Sequence, residues 1–258
     1  MKKKVLVTIC GRAGSKGFRN KNLKTFCGRP LVYYTLSAAG LFQKARPDME
    51  VEVCLNTDSP ELAALVAEKY PETVFLPRGG ELAGDTVPKM AVFQDSLARM
   101  EEKNGTRYDY LIDLDITSPL RRCGDVAGAV AAKEARPDMD LIFSVTEARR
   151  NPYFNQVRAV GDPARGGHVE KVLDSPFTAR QQAPAVYDLN ASIYVFERDF
   201  LARNKTGILW DGVCGIYEMQ DTGVLDIDSE DDYLLMEAIA AHLYQKEEDF
   251  AKVQKNIR

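Results

Sequence analysis

Apolar positions along this chain follow two alternating rhythms. Short, nearly unbroken runs occur at Val5 to Ile9, Val51 to Asn56, Val74 to Leu76, Tyr110 to Leu114, Leu141 to Val145 and Ile193 to Phe196. Their length and β-branched content predict strands buried on both faces. Longer stretches lie among them: Leu31 to Leu41, Pro60 to Tyr70, Val87 to Lys103 and, near the end, Asp231 to Lys246. These read as helices, the second with Asp58 or Ser59 as its cap and Pro60 near the first helical position. The alternation predicts an α/β fold, a mainly parallel twisted sheet covered by helices on both faces. From about Asn151 to Pro184 both rhythms are lost in a stretch rich in Pro, Gly, Arg and Gln. It is too short for a core of its own, so it reads as an arm inserted at 151–184 into a single domain spanning 1–258.

Composition narrows the class. A chain of 258 residues, 45% hydrophobic and 28% charged, is ordinary for a soluble globular protein with one large core. The net charge of -4 leaves no global basic field for nucleic acid. No apolar run approaches the about 20 residues needed to cross a bilayer. After Lys2-Lys3-Lys4 the apolar stretch ends at Cys10, too short for a secretory core, so a cytoplasmic location is expected. The five cysteines are scattered without a C-x-x-C pair, which indicates neither structural zinc nor a disulfide framework. Two histidines, His168 and His242, argue against chemistry that needs several.

Against that acidic background one loop stands out. The first strand runs directly into Gly11-Arg12-Ala13-Gly14-Ser15-Lys16-Gly17, followed by Arg19, Lys21 and Asn22. Loops at the carboxyl ends of strands in an open α/β sheet are where ligands bind. Glycines let a backbone approach a ligand, and Arg and Lys neutralise anionic oxygens, so the expected guest is a polyphosphate. The spacing fits neither the P-loop nor the G-x-G-x-x-G dinucleotide pattern. The competing reading is a surface turn with solvated charges.

Three further segments carry candidate chemistry. Asp226 and Asp228 flank Ile227, and an extended segment puts both carboxylates on one side. They suit Mg2+, which takes one or two carboxylates plus substrate phosphates. They equally suit the N-terminus of the following helix, with Asp228 or Ser229 as cap. Asp115, Thr117 and Ser118 form a polar turn after the Tyr110 strand, suited to sugar or nucleotide hydroxyls or simply to capping. Arg180, Gln181, Gln182 and Asn190 offer a guanidinium and amides for a polyhydroxylated acid, or a solvated loop.

Taken in order, these segments resemble the acylneuraminate cytidylyltransferase family, which makes CMP-sialic acid and related CMP-nonulosonates. The match covers residues 5 to about 240. It comprises Gly11 to Gly17 with Lys21-Asn22, Asn56 to Ser59, Arg78 with Glu81-Leu82-Ala83 and Asp85, Thr117 to Arg121, Arg180 to Gln182 with Pro184 and Asn190, and Asp226-Ile227-Asp228. The resemblance implies a Rossmann-like nucleotidyltransferase fold, with CTP held by Gly11, Arg12, Ala13, Gly14, Ser15, Lys16, Lys21, Asn22, Arg78 and Asp85. It implies Lys21, Arg12 and Lys16 as catalytic residues, with Lys21 the first choice for stabilising the transition state. It implies Mg2+ on Asp226 and Asp228, an acceptor pocket that includes Asp115, Thr117, Ser118, Arg180, Gln181, Gln182 and Asn190, and a homodimer through the arm. The implied reaction is attack of a 2-keto sugar acid on the α-phosphate of CTP, releasing pyrophosphate.

The chain departs from the family at Asp115 and Ile116, where a Gln and a Pro are usual, and at Asn190-Ala191-Ser192, where the pattern is N-G-A. An unpaired carboxylate at 115 would repel an acidic sugar unless a metal or a cationic group meets it. These departures keep other nonulosonates open, of the legionaminate or pseudaminate type. They also keep open a sugar 1-phosphate acceptor with CTP or GTP, and a nucleotide-binding protein without turnover.

Overall fold

The structure is a computed structural model that describes residues 2–14, 17–84 and 86–258, with Pro163 described in its backbone alone. The chain divides into two compact units, residues 1–144 with 190–258, and residues 145–189.

The main unit is built on β1 (Lys3–Gly11). Its Val5, Leu6, Val7 and Ile9 have no exposed surface, as a strand covered on both faces requires. A short hairpin follows, β2 (Thr25–Phe26) and β3 (Arg29–Pro30). Its two turn residues, Cys27 and Gly28, have φ of 44° and 79°, the double positive φ of a type I′ turn. β4 (Met49–Thr57) and β6 (Tyr110–Leu114) lie on either side of β1, both parallel to it, and β5 (Val74–Pro77) adds in parallel beyond β4. With β7 (Leu141–Glu147), β10 (Tyr187–Glu197) and β11 (Cys214–Glu218) the sheet has seven strands in the order β11-β7-β10-β6-β1-β4-β5. β10 runs antiparallel to β6, so the sheet is mixed though mainly parallel.

Helices cover both faces, as the alternation predicts. They are α1 (Leu31–Ala45), α2 (Pro60–Lys69), α3 (Lys89–Asn104), α4 (Asp125–Ala135), α5 (Arg198–Arg203), α6 (Glu230–Lys246) and α7 (Glu248–Lys255). Ser59 rather than Asp58 caps α2, accepting from the Leu62 N–H at 3.2 Å. Ser229 caps α6 in a reciprocal box with Asp232, whose carboxylate accepts from the Ser229 N–H at 2.8 Å.

The second unit, 145–189, holds the antiparallel hairpin β8 (Val157–Val160) and β9 (His168–Lys171), where the sequence shows no rhythm. Arg158 and Glu170 pair across it at 2.8 Å. Its alternation places Val157, Ala159, Val169 and Lys171 on the opposite face, with Val157 60% and Val169 55% exposed.

Candidate active site

β1, β4 and β6 run parallel, so their carboxyl ends sit side by side. Loops from those ends, with the start of α3 and the approach to α6, enclose a cavity of about 260 Å3. Arg12, Lys21 and Asn22 line it from the first loop, Arg78 and Lys89 from the β5–α3 stretch, Asp115 and Thr117 from the loop after β6, and Asp226 from the acidic segment. Cys10, Leu82, Val87 and Val92 supply apolar wall.

The first loop is held closed from inside. The Asn22 side-chain amide donates to the Arg12 carbonyl at 3.1 Å, and the Ala13 N–H donates to Asp58 Oδ1 at 2.7 Å. At Gly11 a Cβ would stand 2.7 Å from Leu62 Cδ2 and 2.8 Å from Ile116 Cδ1, so the strand ends on the one residue without a side chain. At Gly17 a Cβ would stand 2.7 Å from the Asp228 carbonyl oxygen. The basic loop and the acidic segment therefore meet at backbone distance. Ser15, Lys16 and Asp85 lie outside the described residues.

Lys21 joins the same two segments. Its ammonium donates to Asp228 Oδ1 and to the Ile227 carbonyl, both at 2.7 Å. Ile227 is buried, and its N–H donates to the Thr117 carbonyl at 3.0 Å, which ties the acidic segment to the loop after β6. Asp226 has its pKa pushed up to about 6, first by burial and then by Asp228 and Asp115, with Lys21 offsetting part of this. Among the described residues no three His, Cys, Asp or Glu side chains are grouped to hold a metal ion. Two carboxylates are what Mg2+ takes when phosphates and water complete its shell, so the residue types suit that ion, and of the two Asp226 lines the cavity while Asp228 is held by Lys21 beside it.

Arg78 is oriented by Asn56, whose Oδ1 accepts from its Nε at 2.8 Å and whose carbonyl accepts from Nη2 at 2.9 Å. Asn56 is fixed in turn by Asp95 and Ser96, at 3.1 and 3.0 Å.

The loop after β6 holds a charge cluster that the sequence does not announce. Lys89, the first residue of α3, sits 2.6 Å from Asp115 Oδ2 and 3.1 Å from Asp113 Oδ2. Burial opposes the ammonium charge, but the two carboxylates outweigh it and hold the Lys89 pKa well above its ordinary value. Asp115 is held well below the carboxylate range: burial works the other way, but Lys89 and two hydrogen bonds from Thr117 outweigh it. Asp113, fully buried, is pushed up by burial although Lys89 and Thr8 favour its charge. Behind them Arg121 is buried, donating to the Asp115 and Ser192 carbonyls, and burial pulls its guanidinium down to about 10. The carboxylate at 115 is therefore not an unmet charge facing the acceptor; a lysine neutralises it.

The other expected acceptor residues fall differently. Thr117 lines the cavity, its hydroxyl donating to Asp115 Oδ1 at 2.8 Å. Ser118 is buried off the cavity wall and donates to the Leu225 carbonyl at 3.0 Å. Asn190 is also buried, its Oδ1 accepting from Ser144 Oγ at 2.5 Å and from the Ser192 N–H at 3.2 Å. These two hold the scaffold. Arg180, Gln181 and Gln182 form a 3-10 turn in the second unit. There Arg180 pairs with Glu147 at 2.7 Å, and Gln182 Oε1 accepts from the Thr178 N–H at 3.0 Å.

A model of the cytidylyltransferase family matches residues 6–208. This chain belongs to the cytidylyltransferase family. As a cytidylyltransferase it is 36% identical to the CMP-N,N'-diacetyllegionaminic acid synthase of Campylobacter jejuni, over 95% of this chain and 99% of that one. The likeness to the post-translational flagellin modification protein B of Campylobacter coli has the same identity and the same coverage. The N-acylneuraminate cytidylyltransferase of Escherichia coli is 27% identical over 91% of this chain and 52% of its own. Among solved structures, a CMP:2-keto-3-deoxy-manno-octonic acid synthetase complexed with CTP superposes with a TM-score of 0.64 at 17% identity, covering 93% of this chain and 99% of that one. At that identity it shows the fold alone.

For this cytidylyltransferase, Lys89 is the cavity residue that motif reading missed. Two signals pointed to it. A lysine just after Pro88 at a helix N-terminus opposes the helix dipole. Asp113, near the end of β6, and Asp115, just beyond it, need a shared cation.

Proposed function

We propose that this cytidylyltransferase transfers CMP from CTP to a 2-keto sugar acid of the nonulosonate class, with a legionaminate-type acid as its first substrate. The observation that carries the reading is the convergence of Arg12 and Lys21, from the first loop, with Arg78, from the stretch after β5, on one cavity that also receives Asp226. The full-length likeness to a CMP-N,N'-diacetyllegionaminic acid synthase supports the choice of acceptor. The pairing of Asp115 with Lys89 removes the feature that favoured a sugar 1-phosphate.

In this reading the anomeric oxygen of the acceptor bonds to the α-phosphorus as the bridging bond to the β-phosphate breaks. Pyrophosphate leaves and the hydroxyl proton passes to solvent. Arg12 and Lys21 hold phosphate oxygens and neutralise the charge that grows on them, while Asn22 and Arg78 hold the nucleoside. Asp226 and Asp228 would hold Mg2+, which supplies further positive charge to the phosphates. The family resemblance and the exposed apolar face of the β8–β9 hairpin support a homodimer.

The test is pyrophosphate release with Mg2+, crossing CTP, GTP, UTP and ATP against N,N'-diacetyllegionaminate, N-acetylneuraminate, a pseudaminate-type acid and sugar 1-phosphates. Release with CTP and a nonulosonate, fastest with the legionaminate, is expected. Release only with a 1-phosphate, or only with another nucleotide, overturns the assignment.

A further inference from the structure

We propose that Lys89 contacts the nucleoside, donating an N–H to an uncharged acceptor oxygen of CTP, and that Asp115 positions it. The shared chemistry is a neutral oxygen, the pyrimidine 2-carbonyl or a ribose hydroxyl. The inference rests on the CTP-dependent reading above.

An ammonium carries three donors. Asp115 Oδ2 takes one at 2.6 Å, and Asp113 Oδ2 stands at 3.1 Å as an ion partner without an aligned hydrogen bond. At least one donor is left. Lys89 lines the cavity with its side chain 40% exposed, so that donor is offered to whatever fills the space. The geometry is set rather than incidental. Asp115 Oδ1 accepts from both the N–H and the hydroxyl of Thr117 at 2.8 Å, which leaves Oδ2 turned to the lysine. The ammonium also lies 5.7 Å from the ring centres of both Phe93 and Tyr194.

Charge balance decides what the donor meets. Lys89 and Arg121 are matched by Asp113 and Asp115, so the cluster has no net positive charge with which to draw in an anion. A phosphate or carboxylate placed against Lys89 would also face two carboxylates at close range. Val87 and Val92 make the neighbouring wall apolar, which favours the uncharged part of a nucleotide. A donor fixed in such a wall discriminates strongly, because a ligand without the acceptor leaves it unpaired.

The experiment is calorimetric titration of CTP, 2-thio-CTP, 2'-deoxy-CTP and 3'-deoxy-CTP into the intact protein, without acceptor. The proteins are wild type and the double variant Lys89→Gln with Asp115→Asn, which keeps the net charge; thermal melting confirms that each is folded. Wild type is expected to bind one of the three analogues roughly tenfold more weakly than CTP, and that analogue names the oxygen. The double variant is expected to bind CTP roughly tenfold more weakly and to lose that discrimination. A folded variant with wild-type CTP affinity, or with the wild-type discrimination intact, overturns the role of Lys89. A wild type that discriminates against none of the three overturns it too. Failure of wild type to bind CTP overturns the proposed function itself, and this contact with it.

Discussion

Removing the Lys21 ammonium is expected to separate catalysis from folding. Asp228 Oδ1 and the Ile227 carbonyl, which accept from it, belong to a segment anchored independently through Ile227 and the α6 cap. Lys21→Ala is therefore expected to lower kcat by about 100-fold or more, the usual cost of losing a donor aimed at developing charge, with little change in melting temperature. Near-normal kcat in a folded variant would remove Lys21 from the mechanism. At Asp228 the expectation concerns the ion: Asp228→Asn should raise the Mg2+ concentration for half-maximal rate several-fold, and an unchanged titration would count against a metal at this segment. Ala191 offers a test of the backbone. It sits at φ 53°, left-handed territory that costs an L-residue about 1–2 kcal/mol. Glycine gives back part of that gain through its freer unfolded chain, about 0.4–1 kcal/mol. Ala191→Gly is thus expected to stabilise the fold by roughly 0.5–1 kcal/mol in denaturant melts, and a loss of stability would refute the strain.

Elements in this fold are joined by ion pairs as well as by apolar packing. Arg198, at the start of α5, grips Glu101 of α3 with two hydrogen bonds, at 2.6 and 3.0 Å. Burial raises the Glu101 pKa, but Arg198 outweighs it and the folded pKa is depressed. A depressed carboxylate stabilises fully above its unfolded pKa, about 4.3, and the contribution disappears as pH falls through the folded value. Glu101→Gln is expected to cost about 1 kcal/mol at pH 7, with the gap to wild type closing below about pH 4. A gap independent of pH would mean that packing rather than charge is responsible.

What the sequence disclosed about elements follows the same physics. Strands such as β1 and β6 were legible because burial on both faces forces an unbroken apolar run. α4 was not, because Asp125 to Ala135 is rich in alanine and presents a faint stripe. The β8–β9 hairpin was hidden because its residues are mostly exposed and carry no burial rhythm. In the site, Arg12, Lys21, Asn22 and Asp226 were readable from local patterns, and Arg78 only through the family resemblance. Lys89 was not, because its partners Asp113 and Asp115 lie more than twenty residues away along the chain.

At the scale of the whole molecule the open prediction is association. The hairpin face with Val157 and Val169 gives a second copy an apolar surface to cover. Sedimentation is expected to show a dimer, and Val157→Asp with Val169→Asp to shift it to monomer. A wild-type monomer at micromolar concentration would refute the proposal. The pyrophosphate assay on the double variant then reports whether turnover requires the second copy.

The charged quartet of Asp113, Asp115, Lys89 and Arg121 also constrains how this sequence can drift. Any one of the four, changed alone to a neutral residue, leaves its neighbours with an uncompensated charge, so viable changes must come in matched pairs. Among relatives, an acid at the position of Asp115 should travel with a cation at the position of Lys89, and an amide at the first should release the second. An alignment in which the two positions vary independently would show that the balance is local to this chain rather than a rule of its lineage.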